Sequence, residues 1–351
     1  MMQKKHVAVL FGGQSSEYEI SLQSAYAVLQ AIQREQWDVL PIGITREGAW
    51  FAYKGPWEAI PQDAWHGGPL SPIAPLLDGQ RRGFWKLSPQ PEFLPVDVAF
   101  PVLHGRRGED GTVQGLLELM GIPCVGSGVL ASALCMDKHR AHQLASLAGV
   151  AIPKGVASSA GELDCAFKRI HRELEPPLFV KPLRAGSSLG ISRISAWPEL
   201  PKAIRDALLL DSQVLVEEEI PGFEVGCAVL GEKSFTVGRV DEIETPHPLF
   251  DFHEKYTLEH SAIHTPARIS PEKEREIQQA AVTVYRALGC AGYARVDMFL
   301  TPTGKIVFNE ANTIPGLTGH SRFPAMLRAV GINFPQVVDR LLKEALSHGE
   351  S

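Results

Sequence analysis

The sequence predicts a mixed α/β fold divided into two or three domains. Short apolar segments alternate with helical patterns in the first third of the chain, which is typical of a sheet of parallel strands. The last third instead places several strands next to one another around one long helix. The length of 351 residues agrees, because domains average about 150 residues.

The first unit combines strands with helices. Strands are predicted at 7–11, 39–44 and 96–102, and helices at 21–33 and 112–120. Prolines and glycines are frequent between 51 and 95, which favours an irregular excursion or a hairpin insertion. The apolar pattern from 129 to 148 predicts a single long helix that opens the second unit.

Two further units follow. The middle unit has the pattern of a small α+β lid, with helices at 160–172 and 198–210 and strands at 178–181 and 190–194. The C-terminal unit has a helix at 271–288 and strands at 214–220, 224–230, 235–243, 293–300 and 305–309. We therefore expect three domains, with the boundaries 1–128, 129–212 and 213–351.

Composition excludes several classes of protein. The chain has 34 Lys and Arg against 40 Asp and Glu, a net charge of −6, so no positive excess is available for nucleic acid or an anionic membrane surface. No stretch approaches the ~20 apolar residues of a membrane span, and the apolar run 7–11 is too short for a signal peptide. The five cysteines are widely spaced without a Cys-x-x-Cys pair, which indicates neither a disulfide framework nor a structural zinc site. We expect a cytoplasmic protein.

The last strand pair carries the strongest local signal for chemistry. If residues 303–304 form a two-residue turn, Asp297 lies opposite Glu310 and Arg295 lies opposite Asn312. All four side chains then share one face, because side chains alternate along a strand. Opposed carboxylates repel each other, and their hard oxygens suit Mg²⁺ with bound phosphate. A solvated hairpin face with charges placed by chance would have the same spacing.

Four loops add weaker signals. The loop 183–190 follows Lys181 and can offer backbone N–H groups to an anion, although a surface hairpin has the same composition. Glu17 follows the first strand, where it can bind an ammonium group or simply cap a helix. His104 follows the C-terminal end of another predicted strand, where a histidine either contributes to a site or has only a structural role. The charged segment around Lys255 is either solvated or a lid.

In their order along the chain, these segments resemble the D-alanyl-D-alanine ligases of the ATP-grasp fold. The resemblance covers nearly the whole sequence through seven collinear motifs. They are Phe11-Gly12-Gly13 with Glu17 and Ser21, His104-Gly105 with Gly108-Glu109-Asp110-Gly111, Met136-Asp137-Lys138, Lys181-Pro182 with Gly186-Ser187-Ser188, Lys255-Tyr256, Arg295-Val296-Asp297, and Asn309–Ser321. It implies an N-terminal parallel α/β domain, a central lid and a C-terminal mixed sheet.

The resemblance also implies a reaction. ATP would phosphorylate the carboxylate of D-alanine to an acyl phosphate, which the amine of a second D-amino acid attacks. The cofactors would be ATP and two Mg²⁺ ions, with Mn²⁺ able to replace them. The enzyme would be a cytoplasmic homodimer that serves peptidoglycan synthesis.

The resemblance assigns roles to individual residues. The metal ligands would be Asp297, Glu310 and Asn312. ATP would contact Lys138, Lys181, Ser187, Ser188, Glu217, Glu218, Ile220, Glu224 and Lys255, although Glu217 and Glu218 could instead be surface residues. The catalytic residues would be Glu17, Ser187, Tyr256, Arg295 and Gly316, with Arg295 and the Gly316 N–H forming an oxyanion hole. The amino-acid substrates would contact Glu17, His104, Phe250, Lys255, Arg295, Ser321 and Arg322.

Two residues depart from most members of that family. Phe250 stands where they carry Tyr, and Arg322 stands where they carry Leu or Met. With Asp241 and the segment 254–258, these residues resemble the vancomycin-resistance ligases that join D-alanine to D-serine, and Arg322 could bond the hydroxyl group. Tyr256 argues against the D-lactate subgroup. We expect a dipeptide ligase whose second substrate is D-alanine or D-serine.

Other functions fit the sequence less well. A different ATP-grasp carboxylate–amine ligase would share the metal and lysine sites but not Glu17, His104 and the segment 316–321. A binding protein without turnover would not need the full set of charges on the last hairpin. A dehydrogenase lacks support, because no glycine fingerprint follows the first strand.

Overall fold

Each part of the chain builds its own β-sheet. The computed structural model describes residues 4–186, 189–245 and 261–348, and of these His348 only by its backbone. Three β-sheets, of seven, four and six strands, are present among these described residues. The predicted α/β class is confirmed. No helix among the described residues is both long and apolar enough to cross a bilayer.

The N-terminal sheet has a parallel centre, as predicted. The bounds of its central elements are β1 Lys5–Gly12, α1 Tyr18–Ala31, β2 Trp37–Ile44, β7 Val98–Pro101 and α2 Thr112–Leu119. β1 lies between β2 and β7, and both pairs are parallel. The loops that follow β1 and β7 therefore meet at one edge of the sheet, and they carry Glu17 and His104.

The segment 51–95 forms a hairpin insertion. The sequence had left open an irregular excursion or a hairpin insertion, and the structure shows the second. Its strands are β3 Trp50–Tyr53, β4 Leu70–Pro75, β5 Gly83–Lys86 and β6 Glu92–Pro95. They extend the sheet in antiparallel order beyond β2. Aromatic side chains link them, as where Trp50 and Phe84 stack with ring centroids 6.1 Å apart.

The apolar segment 129–148 forms two helices, so the single-helix prediction is wrong. The first, α3 Val129–Met136, ends at Asp137. The Asp137 carboxylate accepts the Arg140 N–H at 2.9 Å and so caps α4 Lys138–Leu147. Apolar periodicity alone does not detect such a cap. Both helices pack against the last strand of the C-terminal sheet.

The middle sheet contains a strand that was not predicted. Its bounds are β8 Gly155–Ser159, α5 Leu163–Glu173, β9 Leu178–Pro182, β10 Ser192–Ile194, α6 Leu200–Leu208 and β11 Gln213–Glu218, and β8 is the new strand. β11 was expected to begin the C-terminal domain, yet it pairs with β8 and β9. The middle sheet therefore includes residues up to Glu218.

The C-terminal sheet has the order β15-β14-β12-β16-β17, with β13 paired to β12. The bounds are β12 Phe223–Leu230, β13 Thr236–Val237, β14 Asp241–Glu244, β15 Ala262–His264, α7 Pro271–Ala287, β16 Tyr293–Leu300, β17 Ile306–Asn312, α8 Arg322–Arg328 and α9 Phe334–His348. The last helix, α9, packs against α1 and β7 and shares their apolar core. The two ends of the chain thus form one packed body.

Candidate active site

The β16–β17 hairpin carries the side-chain pairs expected from its sequence. Asp297 lies opposite Glu310, and Arg295 lies opposite Asn312. Because residues two apart on a strand point the same way, these four side chains share one face of the sheet.

The turn of this hairpin differs from the prediction. Leu300 pairs with Ile306, so the connection is longer than two residues. The register shifts by one between Asp297 and Met298, because Asn309 is an extra residue that bulges from β17. The bulge compensates for the longer turn and restores the expected pairing at the site.

Basic side chains neutralise the buried Asp297. Arg295 donates to its carboxylate from Nε at 2.8 Å and from Nη2 at 2.7 Å. Asn312 Nδ2 donates to the same carboxylate at 2.9 Å, and Arg322 Nη1 lies 3.4 Å away. Burial opposes the charge of Arg295, but Asp297 outweighs that effect and raises the arginine pKa. These buried charges are therefore paired.

Arg322 is buried among three carboxylates. It donates from Nε and Nη2 to Asp241 at 2.7 and 2.8 Å, and from Nη1 to Glu224 at 2.9 Å. Its guanidinium lies directly over Gly226, where a Cβ atom would come within 2.3 Å of Nη2. Only glycine leaves room for the arginine at this position.

A cavity of about 360 Å³ separates the middle and C-terminal sheets, which is the size of a small-molecule pocket. Its lining includes every described residue that was expected to contact ATP: Lys138, Lys181, Glu217, Glu218, Ile220 and Glu224. We call this space the first cavity.

Buried charges line the first cavity. Glu217 is 1 % exposed, and its carboxylate lies 2.7 Å from Lys181 Nζ. Burial disfavours the Glu217 anion, yet Lys181 and His142 together hold its pKa well below the usual range. Lys138 Nζ donates to Ala185 O at 2.8 Å. The alternative that Glu217 is a surface residue is therefore wrong.

A second cavity of about 460 Å³ lies where the N- and C-terminal units meet. It is lined by the described residues expected to contact amino-acid substrates, together with Gly316: Glu17, His104, Arg295, Gly316, Ser321 and Arg322. Glu310 lines both cavities. The two spaces are therefore adjacent at one carboxylate of the hairpin.

Two glycines enclose the carboxylate of Glu17. A Cβ atom at Gly105 or at Gly186 would lie 2.6 Å from Glu17 Oε2. Gly105 belongs to the loop after β7, whereas Gly186 belongs to the loop after β9 in the middle unit. All three units of the fold thus come together around the second cavity.

His104 and Glu109 hold the segment that leads to Gly316. His104 Nδ1 donates to Ile314 O at 2.9 Å, and the Glu109 carboxyl group accepts the Ile314 N–H at 3.1 Å. Burial lowers the pKa of His104, so its ring is neutral and Nε2 accepts from Ser24 Oγ at 3.2 Å. Burial raises the pKa of Glu109 to about 8, and the charge of Glu17 adds to the shift. Both ring nitrogens of His104 are thus occupied by protein groups.

Some predicted residues cannot be placed, and others were missed. Outside the described residues lie Ser187, Ser188, Phe250, Lys255 and Tyr256.

Sequence reasoning did not single out Gly226 or His142 as site residues. A glycine inside a strand often marks a place where another group approaches the backbone closely. This was the sequence signal available for Gly226. No sequence signal identifies His142.

The hairpin face suits a hard divalent cation. The described residues contain no cluster of three His, Cys, Asp or Glu side chains placed as metal ligands. Asp297, Glu310 and Asn312 instead combine two carboxylates with an amide, and Lys138 Nζ lies 3.6 Å from Glu310. Such oxygen donors fit Mg²⁺ when phosphate and water supply the remaining ligands.

Comparison with known proteins agrees with this arrangement. The model of the D-ala D-ala ligase N-terminus matches residues 6–127, and that of the D-ala D-ala ligase C-terminus matches residues 151–343. The crystal structure of VanG D-Ala:D-Ser ligase from Enterococcus faecalis is 52% identical, with a TM-score of 0.92, over 98% of this chain and 100% of that chain.

Two sequence relatives carry different names. The D-alanine–D-alanine ligase of Caldicellulosiruptor bescii is 41% identical over 98% of this chain and 96% of its own length. A putative D-alanine–D-lactate ligase of Streptomyces coelicolor is also 41% identical, over 99% of each chain. Overall identity at this level therefore does not select a second substrate. The family and fold expected from the motifs are confirmed: the chain belongs to the D-alanine–D-alanine ligase family, with the ATP-grasp fold of those enzymes.

Proposed function

We propose that the chain is an ATP-dependent ligase that joins D-alanine to a second D-amino acid, forming a dipeptide for peptidoglycan precursors. The observation that carries this proposal is the position of Glu310, which lines both cavities. A nucleotide in the first cavity and an amino acid in the second meet beside this residue. Phosphoryl transfer requires such a close placement of the two reactants.

The proposed reaction has two steps. A carboxylate oxygen of D-alanine attacks the γ-phosphorus of ATP, and the bond to ADP breaks to leave an acyl phosphate. The amine of the second D-amino acid then attacks the acyl carbon and loses a proton, and inorganic phosphate leaves. Lys138 and Lys181 hold phosphate oxygens, and Ser187, Ser188 and Lys255 complete that set.

The remaining residues act on the second step. Arg295 and the Gly316 N–H stabilise the oxyanion that forms when the amine attacks, and both line the second cavity. Glu17 binds the ammonium group of the first D-alanine, and the resemblance to the family would add Ser187 and Tyr256 to its network. Closure of the loops over the site excludes water, which would hydrolyse the acyl phosphate.

Mg²⁺ is the proposed metal cofactor, as two ions that Mn²⁺ can replace. Asp297, Glu310 and Asn312 would hold it. When bound, the metal neutralises phosphate charge during transfer.

We propose D-serine as the preferred second substrate. Arg322 brings a guanidinium to the wall of the second cavity, where Leu or Met would offer no hydrogen bond. Three of its five N–H groups bond Asp241 and Glu224, and Nη1 also faces Asp297 at 3.4 Å, so among the described residues the second N–H of Nη2 is the donor left for a ligand. The similarity to an enzyme described as a D-Ala:D-Ser ligase supports this choice.

D-Alanine is the alternative second substrate. The guanidinium of Arg322 already has carboxylates on several sides, including Asp297 at 3.4 Å. If those carboxylates accept from all N–H groups of Arg322, none is left for the hydroxyl group of D-serine. The second cavity then selects the substrate by its shape.

The test is ADP release with ATP and Mg²⁺, first with D-alanine alone and then with equal D-alanine and D-serine, with the dipeptides separated by mass. We expect D-alanyl-D-serine to dominate. Exclusive D-alanyl-D-alanine would assign the alternative substrate. A protein that releases no more ADP with D-amino acids than its Glu310→Gln control would not be a ligase.

Location and assembly complete the proposal. A cytoplasmic site is proposed because ATP is the energy source of the reaction. A homodimer formed through the N-terminal unit is proposed from the resemblance to the family, and sedimentation of the purified chain tests it.

A further inference from the structure

His142 is a buried histidine at the junction of the middle and C-terminal units. It lies on α4, is 3 % exposed, and is flanked by Phe308 with ring centroids 5.5 Å apart. Its Nε2 atom lies 2.7 Å from Asn309 O, the carbonyl of the bulged residue in β17. Its Nδ1 atom lies 3.0 Å from Glu217 Oε1 on β11.

The two partners of the ring indicate its protonation state. A carbonyl oxygen only accepts hydrogen bonds, so Nε2 donates to Asn309. The Glu217 carboxylate also only accepts, and a neutral imidazole would turn a lone pair toward it. An imidazolium carries an N–H at both positions, so Nε2 donates to Asn309 O while the positive charge faces Glu217 Oε1 at 3.0 Å. The close approach of Nδ1 to a buried carboxylate is the geometry of an ion pair.

A charged His142 changes the electrostatics of the first cavity. Glu217 contacts two cations, with Lys181 Nζ at 2.7 Å and His142 Nδ1 at 3.0 Å. One negative and two positive charges leave the cluster with one net positive charge. Without the imidazolium charge, Glu217 would cancel Lys181, and the cluster would be neutral.

We propose that His142 is a positioning residue whose imidazolium neutralises Glu217, so that the charge of Lys181 stays available to the phosphate groups of a bound nucleotide. The proposal rests on the function proposed above. His142 also ties the bulge of β17 to the middle unit, because Asn309 and Glu217 lie on different sheets. It touches protein groups, and it affects the nucleotide through Lys181.

Two ligands separate an electrostatic role from a merely structural one. ATP and adenosine share the base and the ribose, but only ATP carries phosphates. We would measure both dissociation constants for the wild type, His142→Gln and His142→Lys by calorimetry and by competition. The matched control is His139→Gln, because His139 lies on the same helix but does not line the first cavity.

The variants have distinct expected results. His142→Gln should weaken ATP about tenfold and change adenosine less than twofold, since a nearby charge acts on the phosphates. His142→Lys keeps the charge and should recover ATP affinity to within about threefold of the wild type. Equal weakening of ATP and adenosine, or an unchanged ATP affinity in His142→Gln, would overturn the proposal.

A second measurement does not depend on any variant. Nitrogen-15 NMR of the ligand-free wild type at pH 7 should show protons on both ring nitrogens of His142. A ring with a single N–H would overturn the inference even if the variants fail to fold. A wild type that does not bind ATP would instead refute the proposed function, so the two failures are distinguishable.

Discussion

Replacing Arg322 by Met tests how the buried charges of the second cavity are balanced. The Asp241 carboxylate is 0 % exposed and accepts from Arg322 Nε, from Arg322 Nη2 and from the Gly226 N–H at 2.9 Å. The substitution removes two of these three donors and leaves a buried anion. Removing one partner of a buried ion pair costs about 3–5 kcal/mol, so we expect the free energy of unfolding to fall by that amount.

Urea denaturation of three variants measures this effect. In Asp241→Asn combined with Arg322→Met, the unpaired charge is gone, and we expect at least about 2 kcal/mol to return. Arg275→Met is the surface control: its pair with Glu272 has both side chains 71% exposed, so the loss should stay below about 1 kcal/mol.

Two outcomes would refute this reasoning. One is a loss below about 1 kcal/mol in Arg322→Met, and the other is a double variant that is no more stable than the single one. The double variant also tests substrate choice. Its ratio of kcat/KM for D-serine over D-alanine should fall about tenfold, and an unchanged ratio would remove Arg322 from the account of specificity.

Three further predictions concern a close contact, a proton and the metal. Gly226→Ala should lower the free energy of unfolding by about 1–3 kcal/mol and remove most of the activity, because the added Cβ would lie 2.3 Å from Arg322 Nη2. Gly128→Ala, whose added Cβ has no atom within 4 Å, should be nearly neutral. Equal losses in the two variants would contradict the argument. Burial raises the pKa of Glu109 from 4.5 to about 8, so the folded state keeps a proton that the unfolded state releases. The free energy of unfolding should therefore fall as the pH rises from about 5 to 8. If it falls equally steeply in Glu109→Gln, other titrating groups cause the pH dependence. EDTA should abolish ADP release and added Mg²⁺ should restore it, whereas turnover that persists in EDTA would exclude a divalent cation from the reaction.

Short-range patterns accounted for much of the fold. The alternation of strands and helices predicted the parallel centre of the N-terminal sheet, since each element depends on apolar spacing within a few residues. The same kind of pattern failed at Asp137, where a local cap divides one apolar segment into two helices. It also failed for β11, because the choice of sheet depends on partners that lie far away in the chain.

The sequence by itself determined which side chains share the face of the last hairpin. Strand alternation is local, and the pairing of Asp297 with Glu310 was correct even though the assumed turn was not. The motifs along the chain identified the family in the same way, without knowledge of any contact.

Only the tertiary structure decided what surrounds that face. Arg322 reaches Asp241 across 81 residues, and His142 reaches Asn309 across 167 residues. A buried charge needs a partner, but composition and spacing do not say which of 40 acidic residues supplies it. That choice depends on how the sheets pack, because burial brings distant charges together where water cannot screen them.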